Sequence, residues 1–332
     1  HARACKLKCE KILTRPSEVE TFGIDESWIE LTGSPLLKER TPHEIADEIR
    51  NTVKSEVGLT VSIGISFNKI FAKLGSDMKK PDAVTEIGRD TFRDQVWPLP
   101  VSDLLYVGRA TAEKLGRYCI RTIGDLANTE RDILRSLLGI NGEKIWAYAN
   151  GLDASRVMPC DYTPPIKSIG HGITCTADLV SESEVRGVFL ELSQDIGLKL
   201  RKQGLAANGV RITVRDNTLS HRQYQCKLPF PTQSYLEIYD AGIDMFHRRY
   251  SWSNNIRSLT ISAIDLISAD TPVQLDLWTD MSKHKRRIRL EETIEDIRRR
   301  FGLHAINFAA AGSMKIPVQS DIEYKMPSVM YQ

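Results

Sequence analysis

The sequence predicts an α+β fold in two or three domains, on three observations. Residues 19–87 alternate short extended runs with helical ones. Residues 99–158 read as helices joined by glycine-bearing turns, and residues 166–267 give strand, helix, strand, strand, helix, strand. A chain of 332 residues, 41% hydrophobic and 27% charged, is of ordinary globular composition for that size.

Composition excludes several classes. Lys plus Arg is 45 against 43 for Asp plus Glu, so a basic surface has to be local. No apolar run approaches the ~18–20 residues that cross a bilayer, and no signal peptide is visible, which predicts a cytoplasmic protein off the membrane. The six cysteines, at 5, 9, 119, 160, 175 and 226, show no second pair at metal spacing and read as reduced. The chain opens on His1 in a pattern that is already helical, so a preceding N-terminal segment is expected.

The pattern from residue 19 to 32 reads as two strands around Phe22-Gly23-Ile24-Asp25-Glu26. Asp and Glu are poor strand formers, and adjacent carboxylates near a core call for a cation, a hard divalent metal above all. Neighbouring side chains on a regular strand face opposite ways, so both acids reach one ion only if the backbone turns there. A hairpin tip with two solvated acids is the competing reading. Next, Thr41-Pro42-His43-Glu44 is a capping box, Ile45, Ile49 and Val53 follow at helical spacing, and Gly58 closes that helix. Leu59 to Ile65 alternates as a strand, Asn68 to Met78 as a helix, and Val84 to Ile87 as a short strand. Lys69, Lys73, Lys79 and Lys80 cluster about that second helix. They form either a solvated face or a clamp for a triphosphate beside the metal.

Leu104 to Gly124 carries a glycine turn that opens a helix, and Leu138 to Lys144 is a second, weaker copy. Such helix–hairpin–helix turns offer free amides and a helix dipole to phosphate without reading sequence. An ordinary helical hairpin explains either copy alone; two in tandem favour a DNA backbone. Pro159 to Pro165 reads as a linker. Beyond it a helix starts at Ser181 with Glu184 as a capping box and ends at Gly204. One face of the following strands is apolar and the other carries Arg211, Thr213, Arg215, Gln223, Gln225 and Lys227, a solvent-washed face or a groove for phosphates. Gln274-Leu275-Asp276-Leu277-Trp278 resembles a docking peptide, or else a strand laid on its own domain. Lys283 to Phe301 is a charged helix whose apolar edge is expected at Leu290, Ile294, Ile297 and Phe301.

These motifs together resemble the Y-family translesion DNA polymerases. Phe22 to Glu26, Ser62 to Lys69 with Ala72-Lys73-Leu74, and Ser76 to Pro81 are similar to that family's palm motifs, in the family's order. The likeness covers nearly the whole chain. It implies a partial ferredoxin-like palm over 1–98, a helical thumb with tandem helix–hairpin–helix turns over 99–158 and a linker over 159–165. An α+β little-finger domain over 166–270 and a tail over 271–332 follow. It implies that Asp25 binds metal and that Glu26 is the adjacent catalytic carboxylate, both holding Mg2+, with two ions in the intact protein. Lys80 and Lys73 would contact the incoming deoxynucleoside triphosphate. Gly108, Arg109, Ala110, Lys114, Arg211, Arg215 and Lys227 would hold primer–template DNA. Gln274, Leu275, Asp276, Leu277 and Trp278 would enter the pocket of the sliding clamp, with Trp278 where the family commonly has Phe. The function implied is error-prone translesion synthesis in DNA damage repair, by a monomer.

One departure counts. The family's first palm strand, with another metal-binding aspartate and a sugar-discriminating aromatic, does not precede Asp25 in this sequence, and neither do the fingers. Residues 1–332 alone are therefore expected to extend a primer poorly, and the intact protein to be active. A non-catalytic adaptor that binds DNA and clamp is the alternative, disfavoured because both acids are present. A nucleotide cyclase leaves the tandem hairpins unexplained.

Overall fold

In the computed structural model, residues 19–23, 25–272, 281–302 and 305–306 are described. The chain divides into two units, the first ending at Pro164 and the second beginning at Pro165.

The first unit opens on an antiparallel hairpin, β1 (Val19–Phe22) and β2 (Glu26–Ile29), with Phe22 opposite Glu26 and Glu20 opposite Trp28. Gly23 turns the chain at φ +69°, in the left-handed region that suits glycine. Helix α1 (Pro42–Val57) starts at the Thr41–Glu44 capping box and stops at Gly58 in a left-handed cap. It buries Ile45, Ile49 and Val53. Strands β3 (Ile63–Ser66) and β4 (Val84–Ile87) pair in parallel, joined through helix α2 (Lys69–Met78), a βαβ unit. The strand expected from Leu59 begins only at Ile63, since β4 offers a four-residue partner; Leu59 and Val61 pack instead on the α1 core.

Helix α2 lies hard against β3. A Cβ on Gly64 would stand 1.9 Å from the carbonyl oxygen of Ala72, so only glycine allows this approach. The other face of α2, with Ile70, Phe71 and Leu74, shares one core with Val101, Leu104, Leu115, Ile123, Leu126, Leu134 and Ile145. Helix α3 (Phe92–Val96) adds Val96 to that core. The other residues come from a 3-10 turn at Val101–Asp103 with Leu104 after it and from short helices α4 (Arg109–Gly116), α5 (Ile123–Asn128), α6 (Arg131–Leu138) and α7 (Ile140–Ala149).

The second unit is a four-stranded antiparallel sheet in the order β5-β8-β6-β7, formed by β5 (Ser168–Leu179), β6 (Leu205–Asp216), β7 (His221–Thr232) and β8 (Ile256–Ser268). Helices α8 (Glu182–Gln203) and α9 (Tyr235–Arg249) pack on one face. Val210, Ile212 and Val214 meet Phe189, Leu192, Ile196, Ile238 and Phe246 there, and the alternation leaves Arg211, Thr213 and Arg215 on the opposite face. The capping box at Ser181 and the stop at Gly204 both form.

Helix α10 (Met281–Phe301) departs from its expected packing. Ile294 is buried, but Leu290 is 51% and Phe301 74% exposed. The residue at the centre of the contact is Glu291, which is 0% exposed. It accepts hydrogen bonds from the Ser234 hydroxyl at 2.5 Å and from the amides of Tyr235 and Leu236 at 3.1 and 3.2 Å. Arg201 donates to it at 3.1 Å and also pairs with Glu295. A carboxylate that satisfies the open amides at the start of α9 replaces the apolar stripe that periodicity predicts.

Replacing Gly64 by Ala forces α2 and β3 apart. A loss of about 3 kcal/mol from the first unit is expected, at the upper end for overpacking. Urea unfolding of the wild type and Gly64→Ala measures it, and an unchanged midpoint would contradict the close approach.

Candidate active site

Two repeats set the geometry of the acids. Alternate residues of a strand are separated by about 6.6 Å, and four residues of a helix by about 6 Å, so a strand laid along a helix matches i, i+2 to i, i+4. Here β2 lies along α2. Trp28 donates from its indole nitrogen to the Lys69 carbonyl at 3.0 Å, and Glu26, two residues earlier, pairs with Lys73 Nζ at 2.7 Å. One helical turn further, Lys73 pairs with Asp77 at 2.8 Å, and Lys80 pairs with the other oxygen of Asp77 at 2.6 Å. The result is a continuous run Glu26–Lys73–Asp77–Lys80. Beside it, Lys69 binds both oxygens of Glu20 at 2.8 and 2.7 Å and lies 4.4 Å from the centre of the Trp28 ring. Glu20 also accepts from the Met158 amide at 2.9 Å.

Burial alone would lower the Lys73 amino group, but its hydrogen bonds to Asp77 and Glu26 outweigh that and hold it above the ordinary 10.5. Burial alone would raise Asp77, and Lys73 and Lys80 outweigh that, holding it below the ordinary 3.8.

Asp25 sits in the hairpin turn and is exposed, while Glu26 is half-buried. Ile24, between Gly23 and Asp25, lies outside the described residues. Among the described residues no three of His, Cys, Asp and Glu gather as a metal cage. Adjacent carboxylates at a hairpin tip fit instead a hard cation that takes one or two protein carboxylates and completes its shell with phosphate oxygens and water.

The phosphate-binding candidates fall in two places. Gly108 begins α4 with no side-chain cap, and Gly108, Arg109 and Ala110 are exposed, leaving the first amides of the helix without an intrahelical partner. Arg109 is 92% exposed on its side chain and pairs with Glu113. Lys114 is turned to the second copy: its amino group donates to the Leu137 carbonyl at 2.5 Å, next to the Gly139 turn that opens α7. In the second unit, Arg211 donates to Gln225 across β6 and β7, Gln223 donates to Thr213, Arg215 donates to the Leu219 carbonyl, and Lys227 is exposed. These share the face of the sheet away from its helices. Gln274 to Trp278 lies outside the described residues.

With this geometry in view, comparison with known proteins is decisive. A profile described as the impB/mucB/samB family matches residues 3–77, and one described as that family's C-terminal domain matches residues 166–277. A DNA polymerase IV of Acetivibrio thermocellus is 41% identical over 288 residues, covering 87% of this chain and 72% of the relative. The chain belongs to the Y-family of translesion DNA polymerases. A DNA polymerase IV of Clostridium kluyveri is 33% identical over 292 residues, covering 86% of this chain and 72% of the relative. Among solved structures, a chain titled "Y-family DNA polymerase chimera Dbh-Dpo4(243-245)-Dbh" shares the fold, with a TM-score of 0.64 at 17% identity, over 80% of this chain and 76% of that one.

Sequence reading missed three features of this region. Asp77, quoted within a motif, joins the two lysines. Glu20 ties β1 to Lys69 and to the segment at Met158, and nothing in its local pattern announces that. Tyr106 adopts φ +71°, rare for a residue with a side chain, two positions before Gly108, and holds a 53% exposed ring 5.9 Å from that of Tyr148.

The charge run predicts two limbs in stability. The Lys73 contribution is full below its ordinary value of 10.5 and is lost as pH rises through its raised one. The Asp77 contribution is full above 3.8 and is lost as pH falls through its lowered one. Lys73→Met is expected to flatten both limbs, read by chemical unfolding from roughly pH 3 to pH 11.

Proposed function

We propose that this chain carries the acidic site and the DNA-holding parts of an error-prone polymerase that transfers deoxynucleotides to a primer 3′ end opposite a damaged template. By its family it is a DNA-directed DNA polymerase. The observation that carries the finer reading is the run Glu26–Lys73–Asp77–Lys80 beside exposed Asp25, in which carboxylates and lysines from β2, α2 and the segment after α2 alternate.

Asp25 and Glu26 would hold Mg2+, two ions serving the intact site. Bound there, the ions supply Lewis-acid stabilisation of the triphosphate and of the attacking 3′ oxygen. The rest falls to the protein. Lys80, at the exposed end of the run, exchanges Asp77 for a phosphate oxygen when the triphosphate enters. Lys73 remains between Glu26 and Asp77 and sets the direction of the Glu26 carboxylate. Phosphoryl transfer asks little covalent chemistry of a protein and much positioning of charge, which this arrangement provides.

Primer–template DNA rests its phosphates on the amides at Gly108, Arg109 and Ala110, with Lys114 bracing the second hairpin. The polar sheet face with Arg211, Arg215 and Lys227 takes further phosphates, a sequence-independent hold suited to a polymerase. Gln274, Leu275, Asp276, Leu277 and Trp278 form a peptide for the sliding clamp. Among the described residues no helix is long and apolar enough to cross a membrane. A monomer working in the cytoplasm is part of the same proposal.

In the full-length protein, Glu26→Gln is expected to reduce primer extension by on the order of 10² to 10⁴-fold while DNA affinity holds. Extension and binding assays side by side decide it, and undiminished extension would favour the adaptor. Alanine at Gln274 and Leu277 is expected to weaken pull-down of the clamp without slowing clamp-free synthesis. Unchanged pull-down would remove the clamp from the reading.

A further inference from the structure

Most of the described cations on α10 are engaged. His284 meets Glu237 at 3.0 Å, Arg287 meets Asp240 at 2.7 Å, Arg298 donates to Gln194 at 2.6 Å, and Arg299 and Arg300 both pair with Asp296. Lys285, Arg286 and Arg289 differ. All three are exposed, and none of their side chains has an ion pair or hydrogen bond among the described residues. Their spacing puts them on one side of the helix, with Lys285 and Arg289 about 6 Å apart along its axis.

Helix stability does not explain them. Met281 to Leu290 contains five Lys or Arg and no acid, so the cations there repel one another, Lys285 and Arg289 at i, i+4 among them. Nor is the ridge loosely held. Glu291 fixes the next turn against Ser234, Tyr235 and Leu236, and Arg201 grips Glu291 and Glu295. On the inner side of the same turns, the His284 ring lies 4.9 Å from that of Phe230 on edge strand β7. That strand also carries exposed Lys227. A cleft of about 400 Å³, lined by Leu228, Phe230, Asp240, His284 and Arg287 among others, runs beneath.

We propose that Lys285, Arg286 and Arg289 form a second ridge for DNA phosphates, separate from the polar sheet face and carried on a helix beyond the four-stranded fold. The ligand is the backbone of duplex DNA, bound through charge and without regard to sequence. Three rigidly presented, unpaired cations lose little on meeting phosphate, since no internal ion pair breaks. The proposal rests on the reading of this chain as DNA-binding.

The test measures duplex affinity against salt for three proteins: wild type, a ridge variant (Lys285→Gln, Arg286→Gln, Arg289→Gln) and a sheet variant (Arg211→Gln, Arg215→Gln). Removing one phosphate-binding cation lowers the slope of log affinity on log salt by about 0.9, so the ridge variant is expected to show a slope smaller by roughly 2 to 3, equally on unrelated sequences. Thermal unfolding accompanies it. Because the three side chains have no partners and Lys285 and Arg289 are like charges at i, i+4, the variant should melt at the wild-type temperature or slightly above. A wild-type slope in a folded ridge variant overturns the ridge alone, provided that wild type binds duplex and the sheet variant weakens it. If wild type fails to bind duplex at any salt, the DNA-binding reading falls with it. Loss of binding to phosphatidylserine vesicles or to an acidic protein, with the DNA slope intact, would assign the ridge elsewhere and overturn it too.

Discussion

The first unit depends on the match between a strand repeat and a helix repeat. Two acids at a hairpin tip repel each other and their neighbours, and an apolar surround would penalise both. Lys69 and Lys73, one turn apart on α2, come opposite Glu20 and Glu26, while the Trp28 indole between them donates to the helix backbone. Exposed ion pairs contribute little. These are better placed, because both lysine side chains are largely covered and Lys69 has an aromatic face as well. The hairpin is thereby held in register with the helix, and the register sets where Asp25 and Glu26 stand.

The same arrangement explains how one group of residues can serve folding and chemistry. Carboxylates that wait for a cation need positive charge meanwhile, and lysines that wait for phosphate need negative charge. Alternating them from β2 through α2 to the segment after it satisfies each with the other. On the proposed function, metal and triphosphate together would bring both signs, and the exchange would leave no charge uncompensated. Lys80 and Asp77, the more exposed pair, are the pair that can part at least expense.

Much of this was legible in the sequence because it lies in local pattern. Thr41, Ser181, Gly58 and Gly204 mark helix ends through hydrogen bonds within four residues, and alternation at Val210, Ile212 and Val214 assigns both sheet faces. The paired acids and the lysines of α2 were visible as well, and the structure brings Glu26 to Lys73. What escaped is non-local. The Glu20 contact to Met158 spans 138 residues, and no spacing rule reaches so far. The late start of β3 was set by the length of its partner, and the left-handed Tyr106 by the turn it occupies. Glu291 was hidden for a different reason. Glutamate on a helix is nearly always a surface residue, and periodicity counts apolar positions only.

That buried glutamate also fixes more than an apolar stripe could. Leucines and isoleucines along a helix tolerate a slip or a rotation, since one oily contact resembles the next. A carboxylate that must reach one hydroxyl, two amides and a guanidinium has one position in which all are satisfied, and any displacement leaves a buried charge short of partners. Helix α10 is therefore held in a single rotation about its axis. With Glu291 and Ile294 turned inward, and Arg287 and His284 committed to α9, Lys285, Arg286 and Arg289 have only the outer surface left to them. Their exposure follows from how the helix is fastened, and a partner that meets the ridge meets cations already in place.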